Sequence, residues 1–147
     1  MDRKAVLSGI GAALWLAAGL WPSGVRADDQ DVIDYRQHVM STLGDQMLLI
    51  EQIIQKKAPA DDLNTFARIL AMDAALAPSA FKPDVAGGKS KPNVWTNWAD
   101  FSRQLDALAA RAADLQQAAK TGDLAAVAAK AAALDCMGCH ATYMQAK

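Results

Sequence analysis

The run Cys136-Met137-Gly138-Cys139-His140 sets two thiols three residues apart and places an imidazole directly after the second. Two such thiols can add to the two vinyl groups of a haem as thioethers, and the imidazole can then bind iron from the same side. On a helix, positions 136, 139 and 140 share one face, because neighbours three and four residues apart lie within a turn. Two other chemistries use closely spaced cysteines. A redox dithiol usually sits beside a strand–helix–strand pattern, which this chain lacks, and a metal site would need further cysteine or histidine ligands. The chain has only two cysteines and two histidines. The pattern predicts one covalently attached haem c, with Cys136 and Cys139 as attachment points and His140 as the proximal iron ligand.

The occupant of the other side of the iron decides what such a protein does. Met137 lies inside the motif and Met144 one turn beyond His140, so both belong to the proximal side. Met40 and Met47 fall on one helical stripe about 10.5 Å apart, so only one of them can meet the iron. His38 is about 200° around the helix from Met40 and points away from that stripe. Core filler is the ordinary role of a helical methionine, and it stands beside ligation as a reading of Met40.

The elements that must position these groups are helical. Apolar residues recur at three- and four-residue steps, and no segment alternates with a period of two. A first helix is expected from about Asp31 to Lys56, with the stripe Ile33, Arg36, Met40, Leu43, Met47, Ile50, Ile54. Arg36 is the one charged member of that stripe and calls for a buried or half-buried anion. Pro59 ends the segment, and Asp61 or Asp62 can cap a second helix carrying Leu63, Phe66, Leu70 and Ala74 up to Pro78. The stretch from Ala77 to Pro92, with three prolines and Gly87-Gly88, reads as a long surface loop. A third helix runs from Asn93 to a left-handed glycine cap at Gly122, and Asp123 caps a fourth that continues to about Gln145. The expected fold is all-α, an antiparallel up-and-down four-helix bundle. From Leu105 to Asp135 the chain is rich in alanine, which favours helix but supplies little bulk, so the haem is expected to complete the core.

Length and composition agree with one domain: 147 residues, 52% hydrophobic and 21% charged. A net charge of −1 without a long basic run argues against nucleic acid as a partner. Asp2-Arg3-Lys4, the apolar run Ala5 to Leu20 and the small residues before Asp28 read as a secretory signal over residues 1–27, leaving a domain at 28–147. The run falls short of the roughly 20 residues that span a bilayer, and no second spanning run follows, so no stable membrane span is expected after cleavage. The periplasm is the expected location. Trp95 and Trp98 are expected to pack against helix or ring. Lys56, Lys57, Lys89 and Lys91 lie at loop ends and are read by default as solvated charges.

Beyond these residue-level readings, the chain resembles the class II c-type cytochromes, the cytochrome c′ superfamily. Four blocks carry the resemblance over nearly the whole mature chain: Tyr35-Arg36-Gln37 with Met40 one turn on, Lys91-Pro92-Asn93-Val94-Trp95 through Phe101, Gly122-Asp123-Leu124, and the C-terminal haem motif. The resemblance implies a periplasmic protein with one haem on the fourth helix, Arg36 close to a haem propionate, and Met40 facing the distal side. The Tyr-Arg-Gln-His-Val-Met string is similar to the low-spin branch, which implies a one-electron carrier with His140 and Met40 as axial ligands and a periplasmic or membrane-bound redox partner. The alternative is the five-coordinate, high-spin branch that binds nitric oxide or carbon monoxide. An enzyme is not expected, because no distal histidine and arginine pair can be placed over the iron. The resemblance also leaves a homodimer open, since many relatives pair through their first two helices. One departure stands out: the usual aromatic-then-arginine pair after the haem histidine is Tyr143-Met144 here.

Overall fold

A computed structural model describes residues 28–145. The export signal expected over residues 1–27 lies outside the described residues. Helix α1 spans Asp29–Ile54, two residues earlier at its start than the apolar stripe suggests. The reason is a reciprocal cap: the Asp28 carboxylate accepts from the Asp31 amide at 2.8 Å, and the Asp31 carboxylate accepts from the Asp28 amide at 3.1 Å. Its buried face includes Ile33, Arg36, Leu43 and Ile50 as expected, and is widened by Val39 and Ile53.

A 3-10 turn at Ala60–Asp62 leads into α2, Leu63–Phe81. Pro78 does not end this helix. Proline removes one backbone donor and crowds the carbonyl four residues back, at about 3 kcal/mol. The last turn nevertheless buries Ala77, Ala80 and Phe81, and that packing keeps it helical. The surface loop is correspondingly shorter, occupying residues 82–92.

The expected third helix is two helices, α3 at Asn93–Thr96 and α4 at Trp98–Ala119, separated by Asn97 with φ −123° and ψ 43°. Leaving helical geometry at Asn97 accompanies the placement of its side-chain amide 3.2 Å from the Tyr143 hydroxyl. After Gly122, which takes φ +73° as a left-handed cap, Asp123 accepts from the Ala125 and Ala126 amides and starts α5, Leu124–Ala132. The expected fourth helix also divides. Asp135 adopts φ 53°, and its carboxylate accepts from the Gly138 amide at 3.3 Å, capping a separate α6 at Cys136–Tyr143. The apolar stretch from Leu124 to Tyr143 is therefore not one continuous helix.

Helices α1, α2, α4 and α5 pack as sequential neighbours, with α5 closing back on α1, which makes a four-helix bundle. Its core has two parts. One gathers Leu43, Ile50, Ile53, Leu63, Leu70, Leu115, Val127 and Leu134. The other gathers Val39, Phe81, Val94, Phe101, Leu105 and Tyr143, with Phe101 edge-on to both Phe81 and Tyr143 at centroid distances of 5.1 and 4.9 Å. Met40 packs against both parts.

Candidate functional site

Beside α6 the bundle holds a cavity of about 610 Å³, walled by Met40, Leu43 and Met47 of α1, Leu105 and Leu108 of α4, and Cys136, Cys139 and His140 of α6. A smaller cavity of about 230 Å³ shares Met40, Leu105, Cys139 and His140 and reaches Arg36, Gln37, Lys89 and Tyr143. Protein interiors are close-packed, with few voids larger than a water molecule. A space of this size beside the packed core is a place for a large apolar group.

The α6 groups are ready for attachment. Both cysteines are free of disulfides, Cys139 half-buried and Cys136 at the surface. Loss of hydration pushes both thiols up from their ordinary value, with the Asp135 carboxylate adding to the effect, so they stay protonated at neutral pH. Gly138 leaves room for the cap: a Cβ there would lie 2.7 Å from the Asp135 carboxylate and would displace it. The motif therefore reaches its geometry through the cap. The cavity, the unpaired thiols and the half-buried imidazole fit a haem held by Cys136, Cys139 and His140.

Arg36 is nearly fully buried at 1% exposure, and the anion expected beside it is not a side chain. Its guanidinium donates to the Val85 and Gly87 carbonyls at 2.6 and 2.7 Å and lies 4.9 Å from the centre of the Trp95 ring. Charged donors on carbonyl oxygens satisfy most of the fork, and of the guanidinium nitrogens Nε is left buried without a partner. Trp95 in turn donates to the Phe81 and Pro83 carbonyls at 3.0 Å, which makes it a packing residue, as expected. His38 stands on the exposed face, its Nδ1 2.7 Å from the Asp34 carbonyl oxygen. Met137 is 75% exposed, and Met144 lines the smaller cavity.

Two arrangements had little signal in the sequence. Tyr143 donates to Asp100 of α4 at 2.5 Å, and Asp100 also accepts from Gln104 and pairs with Arg103. The hydrogen bond from Tyr143, then those from Arg103 and Gln104, hold the Asp100 carboxyl below its ordinary value, while Asp100 holds the Tyr143 phenol above its own. The second arrangement is a set of contacts from Lys91 and Asn93 to the C-terminal end of α6. Lys91 is thus engaged with the protein and is not a free loop charge. Spacing of Asp100 from Arg103 and Gln104 was the one readable hint; contacts spanning some fifty residues leave none.

Comparison with known proteins agrees with this geometry. Residues 31–144 match the family described as Cytochrome C′. The chain is 31% identical over 127 residues to a cytochrome c′ of Rubrivivax gelatinosus, covering 78% of this chain and 95% of the relative. It is 26% identical over 125 residues to a cytochrome c′ of Alcaligenes xylosoxydans xylosoxydans, covering 82% and 98%. Among solved structures, a nitrosyl complex of a variant cytochrome c prime from Alcaligenes xylosoxidans superposes with a TM-score of 0.77 at 25% identity, covering 83% of this chain and all of that one. A carbon-monoxide-bound variant of the same protein gives 0.76 at 25% identity, with 83% and 100% covered.

These similarities overturn the low-spin reading. The relatives are cytochromes c′, haem proteins of the high-spin kind that binds nitric oxide or carbon monoxide, and not His/Met-ligated electron carriers. The stripe position of Met40 correctly predicts that it faces the cavity, but a cavity wall and an iron ligand occupy the same stripe. Met40 lines the cavity and packs against both parts of the core.

Proposed function

Because the chain belongs to the cytochrome c′ family, matched over residues 31–144, we propose that it is an exported haem protein that binds nitric oxide or carbon monoxide at iron held by His140 alone. Members carry one covalently bound haem c and are not enzymes of the ordinary kind. When bound, a haem whose iron has one protein ligand supplies an open face for a neutral diatomic.

In this reading Cys136 and Cys139 tether the group to α6 and His140 supplies the imidazole. The capping carboxylate of Asp135 fixes the start of that helix, and Tyr143 fixes its end against α4. Met40, Leu43 and Leu105 line the cavity with apolar surface, which keeps water from competing for the space. Arg36 stands at the smaller cavity with its unpartnered Nε, a donor suited to a propionate carboxylate.

The observation that carries this reading is the composition of the cavity wall. His140 and both thiols line it with Met40, whereas the chain's other histidine, His38, lies on the exposed face. No second imidazole lines the cavity, and the nitric oxide and carbon monoxide complexes of similar cytochromes c′ support an open face in place of a Met40 ligand.

Residues 1–27 act as the export signal and the mature domain works in the periplasm, as the extracytoplasmic location of the relatives supports. Some cytochromes c′ are homodimers. On α1 and α2, Leu48, Met72 and Leu76 are exposed by 58, 60 and 50%, which supports pairing of two copies over that face.

The test is a carbon monoxide titration of the reduced holoprotein followed optically. Saturable binding at one site per chain is expected. A reduced protein whose spectrum carbon monoxide leaves unchanged would overturn the assignment.

A further inference from the structure

Helix α6 is eight residues long, below the roughly 12–15 at which an isolated helix holds itself in water. Its packing against the bundle runs chiefly through one residue, Tyr143, which meets Phe101 and Asp100 of α4. A helix so placed needs other anchors if the imidazole it carries is to be held in one position.

The loop 82–92 and the residue that follows it supply them. Lys91 donates through its ammonium to the Ala141 and Thr142 carbonyls at 3.0 and 3.3 Å, and its backbone amide donates to the Tyr143 carbonyl at 2.9 Å. Asn93 donates its side-chain amide to the Thr142 carbonyl at 3.1 Å. The carbonyl of His140 accepts from the Met144 amide at 2.9 Å. The last four carbonyls of α6, which no helix can satisfy internally, thus all have partners, three of them through Lys91 and Asn93. A cation at this end is also favoured by the helix dipole. Just beyond the helix, the Gln145 amide donates to the Lys89 carbonyl at 2.9 Å.

The loop is itself fixed from the other side. Arg36 of α1 holds its Val85 and Gly87 carbonyls, and Trp95 holds those of Phe81 and Pro83. A continuous series of hydrogen bonds therefore runs from the buried guanidinium of α1, through the loop, to the end of the helix that bears His140.

We propose that Lys91, assisted by Asn93, is the positioning residue for His140: it clasps the C-terminal end of α6 and so fixes where the imidazole meets the cavity. This rests on the reading of His140 as the iron ligand. Arg36 acts one step further back, by fixing the loop that presents the clasp.

The holoprotein is compared as wild type, Lys91→Met, Lys91→Arg and Lys82→Met. The last removes an equal charge from an exposed position on the same loop. Amide hydrogen exchange over residues 136–144 reads the helix, and the iron–imidazole stretching band of the reduced protein by resonance Raman reads the ligand. In Lys91→Met, exchange of α6 rises about tenfold while that of α2 and α4 stays constant, and the iron–imidazole band shifts or broadens. Lys91→Arg restores both readouts, and Lys82→Met changes neither. Unchanged exchange in Lys91→Met, or faster exchange with an unaltered band, overturns the proposal. A wild-type protein with no iron–imidazole band would instead remove His140 from the iron, and the exchange comparison would still decide whether Lys91 holds the helix.

Discussion

The hydroxyl of Tyr143 lies 2.5 Å from a carboxylate oxygen of Asp100, joining the last residue of α6 to the first turn of α4. Tyr143 is buried at 3% exposure and its ring stacks edge-on against Phe101, so the bond is made from inside the core to a carboxylate at its rim.

The pairing gives stability a defined pH dependence. Asp100 has its carboxyl lowered in the folded protein, so its contribution is present above the ordinary aspartate value of about 3.9 and is lost as acid protonates the folded carboxylate. Tyr143 has its phenol raised, so its contribution is present below the ordinary tyrosine value of about 10 and is lost as the pH rises through the folded value. Tyr143→Phe is expected to unfold at a lower urea concentration than wild type at pH 7. That difference should shrink steadily below pH 4, and a gap that stayed constant into strong acid would show that the Asp100 bond contributes nothing.

Arg36 is the most consequential buried polar residue of the bundle. Replacement by methionine removes both charged hydrogen bonds and leaves the Val85 and Gly87 carbonyls without them, an expected loss of about 2–4 kcal/mol. Arg36→Lys should recover only part, because an ammonium cannot reproduce a planar fork that spans two carbonyls and faces Trp95. Chemical unfolding of the three holoproteins gives the comparison, and equal stability of Arg36→Met and wild type would refute it.

Covalent attachment depends on both thiols. Cys136→Ser with Cys139→Ser is expected to yield protein from which haem is fully extracted by acidic acetone, whereas wild type retains it. Haem surviving denaturing electrophoresis in the double variant would place the attachment elsewhere.

Pairing of two copies over α1 and α2 depends on their exposed apolar residues. Met72→Glu sets a charge at an exposed apolar position of α2 and should convert a dimer to monomer in sedimentation, with the haem spectrum unchanged. A wild-type protein that sediments as a monomer at every concentration would remove this face from consideration.

Much of the molecule was legible in the sequence, for reasons that differ by residue. The Cys136–His140 spacing is chemistry written locally, and the α1 stripe from Ile33 to Ile54 is periodicity written over about six turns. Asp123 and Gly122 announce a helix boundary through local hydrogen bonding and a left-handed backbone. The failures are tertiary. Pro78 stays helical because Phe81 and its neighbours are buried beyond it, and the Arg36 guanidinium is held by carbonyls of a loop some fifty residues away. The break at Asp135 places a non-glycine residue in left-handed geometry to cap the motif, a choice that alanine-rich flanks conceal. For Met40 the stripe gave position and not role, since facing the cavity is common to a wall and to a ligand.

The most direct test of the account is the spin state of the oxidised holoprotein at neutral pH, read by electron paramagnetic resonance and optical absorption, in wild type and in Met40→Ala. Iron held by His140 alone is high-spin in both proteins, and Met40→Ala alters only the rate at which carbon monoxide enters the reduced form. A low-spin wild type that becomes high-spin on Met40→Ala would make Met40 an axial ligand and contradict the account.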